Sequence, residues 1–97
     1  MTKVMNLVEL SRYARENEGR GFRCVLDDGP CVTVSVGFAS FDVCLNTRVV
    51  TFYGKSATLA IGSVKDASLT RKEGGAVWYL NIRTDLEENG EYLFTTI

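Results

Sequence analysis

No histidine occurs among the 97 residues, which removes the side chain that most often acts as general base near neutral pH. The nearest approach to a nucleophile with its own base is Ser63-Val64-Lys65. That spacing is expected by chance, and Lys65 is better read as solvating a strand edge. Asp42 and Asp66 are the carboxylates an acid/base reading would pair. Each alternates with apolar neighbours, however, and is expected on an outward, solvated face. Gly74-Gly75 follows Glu73 and precedes a strand-like run; it reads as a hairpin turn, because a phosphate loop would open a helix. The chain is therefore read as non-enzymatic, with no catalytic residue, cofactor or metal site assigned.

Cys24, Cys31 and Cys44 form an odd set without C-x-x-C spacing. With no histidine to complete a zinc site, they are expected to be reduced and mostly buried.

Two groups of side chains remain for binding. Arg12, Arg15, Arg20 and Arg23 lie close in sequence, and such guanidinium groups can grip phosphates. Glu16 and Glu18 interrupt them, and basic residues near a helix end also favour the helix dipole. The second group is aromatic: Tyr79, Tyr92 and Phe94, joined by Val77 and bordered by the acidic Glu87, Glu88 and Glu91. Tyrosines around a phenylalanine anchor suit a protein-contact surface.

What positions these groups is one helix followed by strands. Asn6 can cap a helix, Glu9 stands three residues on to return the bond, and Met5 and Leu10 occupy the two staple positions. Leu7, Leu10 and Ala14 form its apolar stripe, Arg12, Arg15 and Glu16 its wet side, and Asn17 to Gly19 its stop. From Gly21 the apolar period changes to two. A bulged loop at Asp27-Asp28-Gly29 sets Cys24 against Val32 and Phe22 against Val34, with Cys24 and Cys31 on opposite faces. A turn at Asn46-Thr47 sets Phe41 against Phe52 and Val43 against Val50. One at Gly54-Lys55 sets Val50 against Leu59 and Phe52 against Ala57. Gly74-Gly75 pairs Arg71 with Trp78, Leu69 with Leu80 and Ala67 with Ile82. Asn89-Gly90 pairs Leu86 with Leu93 and Ile82 with Ile97. In these registers Trp78, Leu80, Ile82, Leu86, Leu93 and Ile97 fill the core, which places Tyr79, Tyr92 and Phe94 on the other face.

The predicted fold is mainly β (α+β): an N-terminal helix and an antiparallel meander of about seven or eight short strands, forming a strongly bent sheet or small barrel over a single domain, 1–97. Gly37 and Gly62 are places where strands can turn a corner. A net charge of -1 gives no whole-molecule pull toward nucleic acid or anionic membrane. Charge is nonetheless uneven: Lys3, Arg12, Arg15, Arg20 and Arg23 outweigh Glu9, Glu16 and Glu18 in residues 1–26, whereas 85–97 holds Asp85, Glu87, Glu88 and Glu91 with no cation. No apolar run reaches membrane-spanning length and the start has no signal-peptide pattern, so the cytoplasm is the expected location.

The order of helix, then Leu26-Asp27-Asp28-Gly29 at a first hairpin, then Asp42 and Asn46 with three residues between them, resembles the first half of the Sm and Sm-like RNA-binding pattern. That resemblance covers residues 6–50 at most and implies a small barrel with Asp42 and Asn46 framing a nucleotide pocket. Between these two stand Val43, Cys44 and Leu45, none of them aromatic, and Ile61-Gly62-Ser63 lacks the arginine of the family's second motif. Uridine-type binding would have neither its stacking nor its charge partner, and the chain is not assigned to the family.

The expected function is a small binding or regulatory module working through protein contacts, for example an inhibitor that masks a surface of a larger protein. An RNA- or DNA-binding small β-barrel is the alternative, and a homo-oligomer joined by edge strands the third reading.

Overall fold

The computed structural model describes residues 2–27, 33–71, 77–85 and 91–96. In chain order these form β1 (Thr2–Met5), α1 (Leu7–Glu16), β2 (Phe22–Asp27), β3 (Thr33–Phe38), β4 (Ser40–Cys44), β5 (Val49–Tyr53), β6 (Thr58–Ile61), β7 (Val64–Arg71), β8 (Trp78–Thr84) and β9 (Glu91–Thr96). The protein is mainly β, with one short helix and antiparallel strands in two sheets.

Helix α1 forms where its cap residues place it. Asn6 Oδ1 accepts the Glu9 N–H at 2.8 Å, and the Asn6 N–H donates to Glu9 Oε1 at 3.3 Å. Two donors that the first turn leaves unpaired are thereby satisfied. Met5 and Leu10 are both buried, and the helix gives way at Asn17, whose side-chain amide donates to the Tyr13 carbonyl. The helix is not the first element, however. β1 precedes it and pairs with β7, Met5 opposite Ala67. Its four residues, with Val4 exposed, are too short to show an alternation.

The larger sheet has the order β1-β7-β8-β9-β2-β3 and the smaller β4-β5-β6. The chain passes between them at Ala39, between β3 and β4, and at Gly62-Ser63, between β6 and β7. Hydrogen bonds span both corners: the Ala39 N–H donates to the Tyr53 carbonyl at 2.9 Å, and the Val64 N–H to the Arg48 carbonyl at 3.0 Å. Arg48 and Ser63 both adopt a left-handed backbone, φ 55° and 53°. Such residues cost roughly 1–2 kcal/mol and persist where their surroundings fix them. Here the Asp85 N–H donates to the Ser63 carbonyl at 3.0 Å and the Asp85 carboxylate holds the Arg48 guanidinium at 2.9 Å. The other close approach is at Gly54, where an added Cβ would meet the Gly37 carbonyl oxygen at 2.6 Å, so a side chain there would push the β5–β6 connection off the end of β3.

Between the sheets lies a cluster of rings. Phe52 stacks on Phe94 at 3.9 Å and 11°, and Phe22, Phe38 and Phe41 close around Phe52 at 6.0, 5.6 and 4.7 Å. Aromatic pairs of this kind add to the gain from area burial.

Two of the expected registers are those of the structure: Phe41 opposite Phe52 with Val43 opposite Val50, and Leu69 opposite Leu80 with Ala67 opposite Ile82. Two others are displaced by an even number of residues. Cys24 faces Val36 rather than Val32, and Phe52 faces Leu59 rather than Ala57. An even slip keeps every side chain on its expected face. The last hairpin slips by five. Ile82 faces Tyr92 rather than Ile97, and Leu80 faces Phe94. This odd slip turns β9 over: Phe94 is fully buried, Leu93 is 53% exposed, and the expected core place of Leu93 is corrected. Leu86 and Ile97, also assigned to the core, lie outside the described residues, as do Cys31, the Gly74-Gly75 turn and the Asn89-Gly90 turn.

Phe94→Ala is expected to lower unfolding free energy by about 3–5 kcal/mol, whereas Leu93→Ala should change it by about 0.5 kcal/mol or less. Paired denaturant melts check the assignment, since exchanged values would restore the other register.

Candidate functional site

The three-stranded sheet and α1 cover the inner face of the six-stranded sheet incompletely. Toward the end of β7 and the start of β8 that face stays open. The result is a groove of about 340 Å³ between α1 and strands β1, β7 and β8, floored by Met5, Tyr13, Leu69 and Trp78. Its size and apolar floor match those of ligand and segment sites. Lys3, Arg12 and Arg20 stand on its rim together with Glu9 and Glu16.

Each wall is set by local structure. Lys3 and Met5 alternate with the outward Thr2 and Val4, so both point to the helix side. On α1 the spacing of Glu9, Arg12, Tyr13 and Glu16 is that of one helical stripe. Tyr13 packs edge-on against Phe22 at 6.3 Å, which fixes its ring, and burial pushes its phenol above the usual value. Trp78 is half-buried; its backbone N–H donates to the buried Thr96 hydroxyl at 3.2 Å. The Arg71 guanidinium lies 5.1 Å from the centre of its ring, a cation–π contact. Arg20 Nη1 donates to Asn17 Oδ1 at 3.1 Å.

The residues singled out in the sequence scatter over other surfaces. Phe94 is in the core, and Tyr92, opposite Ile82, packs partly buried against it. Tyr79 alone of the three keeps the outer face, beside Leu93, while Val77 is 42% exposed just ahead of β8. The expected aromatic patch of Tyr79, Tyr92 and Phe94 therefore does not exist as one surface, because the odd slip of β9 moves two of its three members inward. Glu87 and Glu88 lie outside the described residues. The arginines also diverge: Arg12 and Arg20 line the groove, and Arg15 lines a hollow with Glu18, Asp42 and Tyr53. Arg23, between the buried Phe22 and Cys24, faces outward from the six-stranded sheet. The sequence pattern places Trp78 wholly in the core and carries no sign that its strand overruns the covering elements, which leaves the ring partly open.

The chemistry-bearing residues have structural surroundings. Asp66 is gripped by Arg83, whose Nε and Nη2 donate to its two oxygens at 2.6 and 2.5 Å. Asp42 stands exposed on the other sheet, and Asn46 is exposed in the β4–β5 turn. Ser63 and Lys65 are both exposed, and no hydrogen bond joins them. Cys24 is a buried free thiol, but Cys44 is free and exposed, a departure from the expected burial. Among the described residues no cluster of three acidic or cysteine side chains is placed to hold a metal ion, and no helix is long and apolar enough to cross a membrane.

The Arg83 hydrogen bonds hold the Asp66 carboxyl below its ordinary range. A carboxyl whose pKa is depressed by folding contributes stability above its unfolded value, about 3.9, and loses it as pH falls through the lower folded value. Arg83→Gln should therefore be less stable than wild type at neutral pH, with the gap narrowing as pH falls below the unfolded value of about 3.9 and toward the lower folded one. Denaturant melts across that range test it, and a gap independent of pH would show that the pair contributes through packing.

Hydrogen bonds from Thr47, side chain and backbone, lower the Cys44 thiol pKa, whereas burial raises that of Cys24. Since the thiolate is the reactive form, iodoacetamide near neutral pH should modify Cys44 well before Cys24, as peptide mapping at successive times will show. No protein-family model, curated protein or solved structure matches the chain, so its function is argued from the site itself.

Proposed function

We propose that this protein is a small non-enzymatic binding module that works through protein contacts, holding a short segment of its partner in the groove between α1 and the six-stranded sheet. The observation that carries this reading is the half-buried Trp78 beside Tyr13 on an apolar floor, under a rim bearing charges of both signs. A large apolar side chain from a partner would cover Trp78, Tyr13 and Leu69, and tryptophan and tyrosine are enriched where such contacts dominate affinity. A mixed rim favours a polypeptide with its own acidic and basic side chains. A nucleic-acid backbone would meet Glu9 and Glu16 on one wall, and the four arginines needed to track it face three surfaces.

Trp78 is the sole tryptophan of the chain and reports on occupancy directly. Peptides selected from a random library on the immobilised protein should share one large apolar residue among charged ones, and should shift Trp78 emission saturably. Trp78→Ala should weaken them by about 2 kcal/mol or more by calorimetry, and Val8→Ala, at an exposed helix position outside the groove, should leave affinity unchanged. If oligo-uridine or duplex DNA shifts the emission with a steep salt dependence while the selected peptides do not, the nucleic-acid reading replaces this one.

A further inference from the structure

β1 and α1 are joined through Asn6 alone, so the groove between them is closed at that end. Met5 and Glu9 flank the closure, and the Asn6 N–H ties the Glu9 carboxylate into it. The groove is entered from the other end, past Trp78, Tyr13 and Arg20. A polypeptide cannot run along it and out again, but the end of one can enter.

Two polar groups stand at that entrance. Tyr13 is partly buried, and among the described residues none hydrogen-bonds its hydroxyl. Burial keeps the phenol protonated against the opposing charge of Arg20, so at neutral pH it can donate. Arg20 is held beside it: Nη1 donates to Asn17 Oδ1 at 3.1 Å, and Asn17 Nδ2 donates to the Tyr13 carbonyl at 2.9 Å. That single bond leaves most of the guanidinium's donors for a guest. The Tyr13 carbonyl, in the anion-repelling last turn of α1, also receives the Asn17 backbone N–H at 3.1 Å. With two donors on it, it opposes a nearby anion less.

The rim limits the charge of the guest. Lys3, Arg12 and Arg20 against Glu9 and Glu16 leave one positive charge over, and among the described residues no ion pair joins these side chains to one another. One carboxylate neutralises the rim, whereas a phosphate dianion exceeds it.

On the reading that the groove binds a partner segment, we infer that the segment is the C-terminal end of the partner polypeptide: its last side chain, large and apolar, lies against Trp78 and Leu69, and its α-carboxylate is received by the Tyr13 hydroxyl and the Arg20 guanidinium. A C-terminal residue carries side chain and carboxylate on one carbon, which matches an apolar floor and two donors at a single entrance. An internal aspartate or glutamate comes with chain continuing on both sides, and the closed end gives that chain no exit.

Peptides of three glycines followed by Leu, Ile, Met or Phe, acetylated and made both as free acids and as C-terminal amides, test this by the shift they cause in Trp78 emission. The acids should bind about tenfold or more tightly than the amides. Tyr13→Phe and Arg20→Gln, each shown by melting to be folded, should weaken the acids severalfold and leave the amides unchanged, while Arg23→Gln, on the outward face, alters neither. Acids and amides of equal affinity overturn the inference and leave the groove as a binding site. So does a preference for the acid that survives both substitutions, or binding confined to library-selected peptides held by an internal segment. If the selected peptides fail as well, the reading of the groove falls with it.

Discussion

Phe52 lies at the centre of five phenylalanines, its ring plane parallel to that of Phe94 across the gap between the sheets and edge-on to that of Phe22. β5, which carries it, is the middle strand of the small sheet, and β9, which carries Phe94, lies among the inner strands of the large one. The contact therefore ties centre to centre. The corners at Ala39 and Gly62-Ser63 carry the chain across the same gap that the stack fills. A ring at position 94 has to face inward for the stack to exist, and that requirement fixes the register of β9 and, through it, which residues the large sheet shows to solvent.

The groove and the outer face both follow from unequal sheet sizes. Three strands and a helix of ten residues cannot cover six strands. Leu80 and Ile82, under the small sheet, are fully buried, whereas Trp78, on the same face one step further out, is only half so. Lys3 sits opposite Leu69 on the short edge strand β1. An inward lysine on a four-residue edge also discourages further strands from adding there. Exposure at this end is thus a consequence of how far each covering element reaches.

Much of this was legible from residue type and spacing. Asn6 and Glu9 fixed the start of α1, and the alternation of β4, β5, β7 and β8 identified their inner faces. Even where the β2–β3 and β5–β6 registers differ from those of a tight turn, alternation kept Phe22, Cys24 and Phe52 inward, because a displacement of two or four residues leaves the pattern intact. Asn89-Gly90 misled for a specific reason. Its turn preference contributes little beside burying an aromatic ring, and a tight turn there would have exposed Phe94 to bury Leu93. The stack with Phe52 is a contact between strands far apart in sequence, and no local pattern announces it. The same holds for β1, whose partner is β7, and hence for the groove that β1 helps to wall.

The pairings of β1 with β7 and β2 with β9 bear on how the molecule is made. β2 can pair at once with β3, which follows it, but its other edge stays without the β9 neighbour until Phe94 and Thr96 have been synthesised, and β1 likewise waits for β7. Long-range strand pairing of this kind folds slowly, and the early segment, rich in valine and phenylalanine, waits with unpaired edges exposed to aggregation. A chain arrested before β9 would lack both the β2–β9 ladder and the ring against Phe52. Commitment to the fold therefore waits for β9 to join the large sheet.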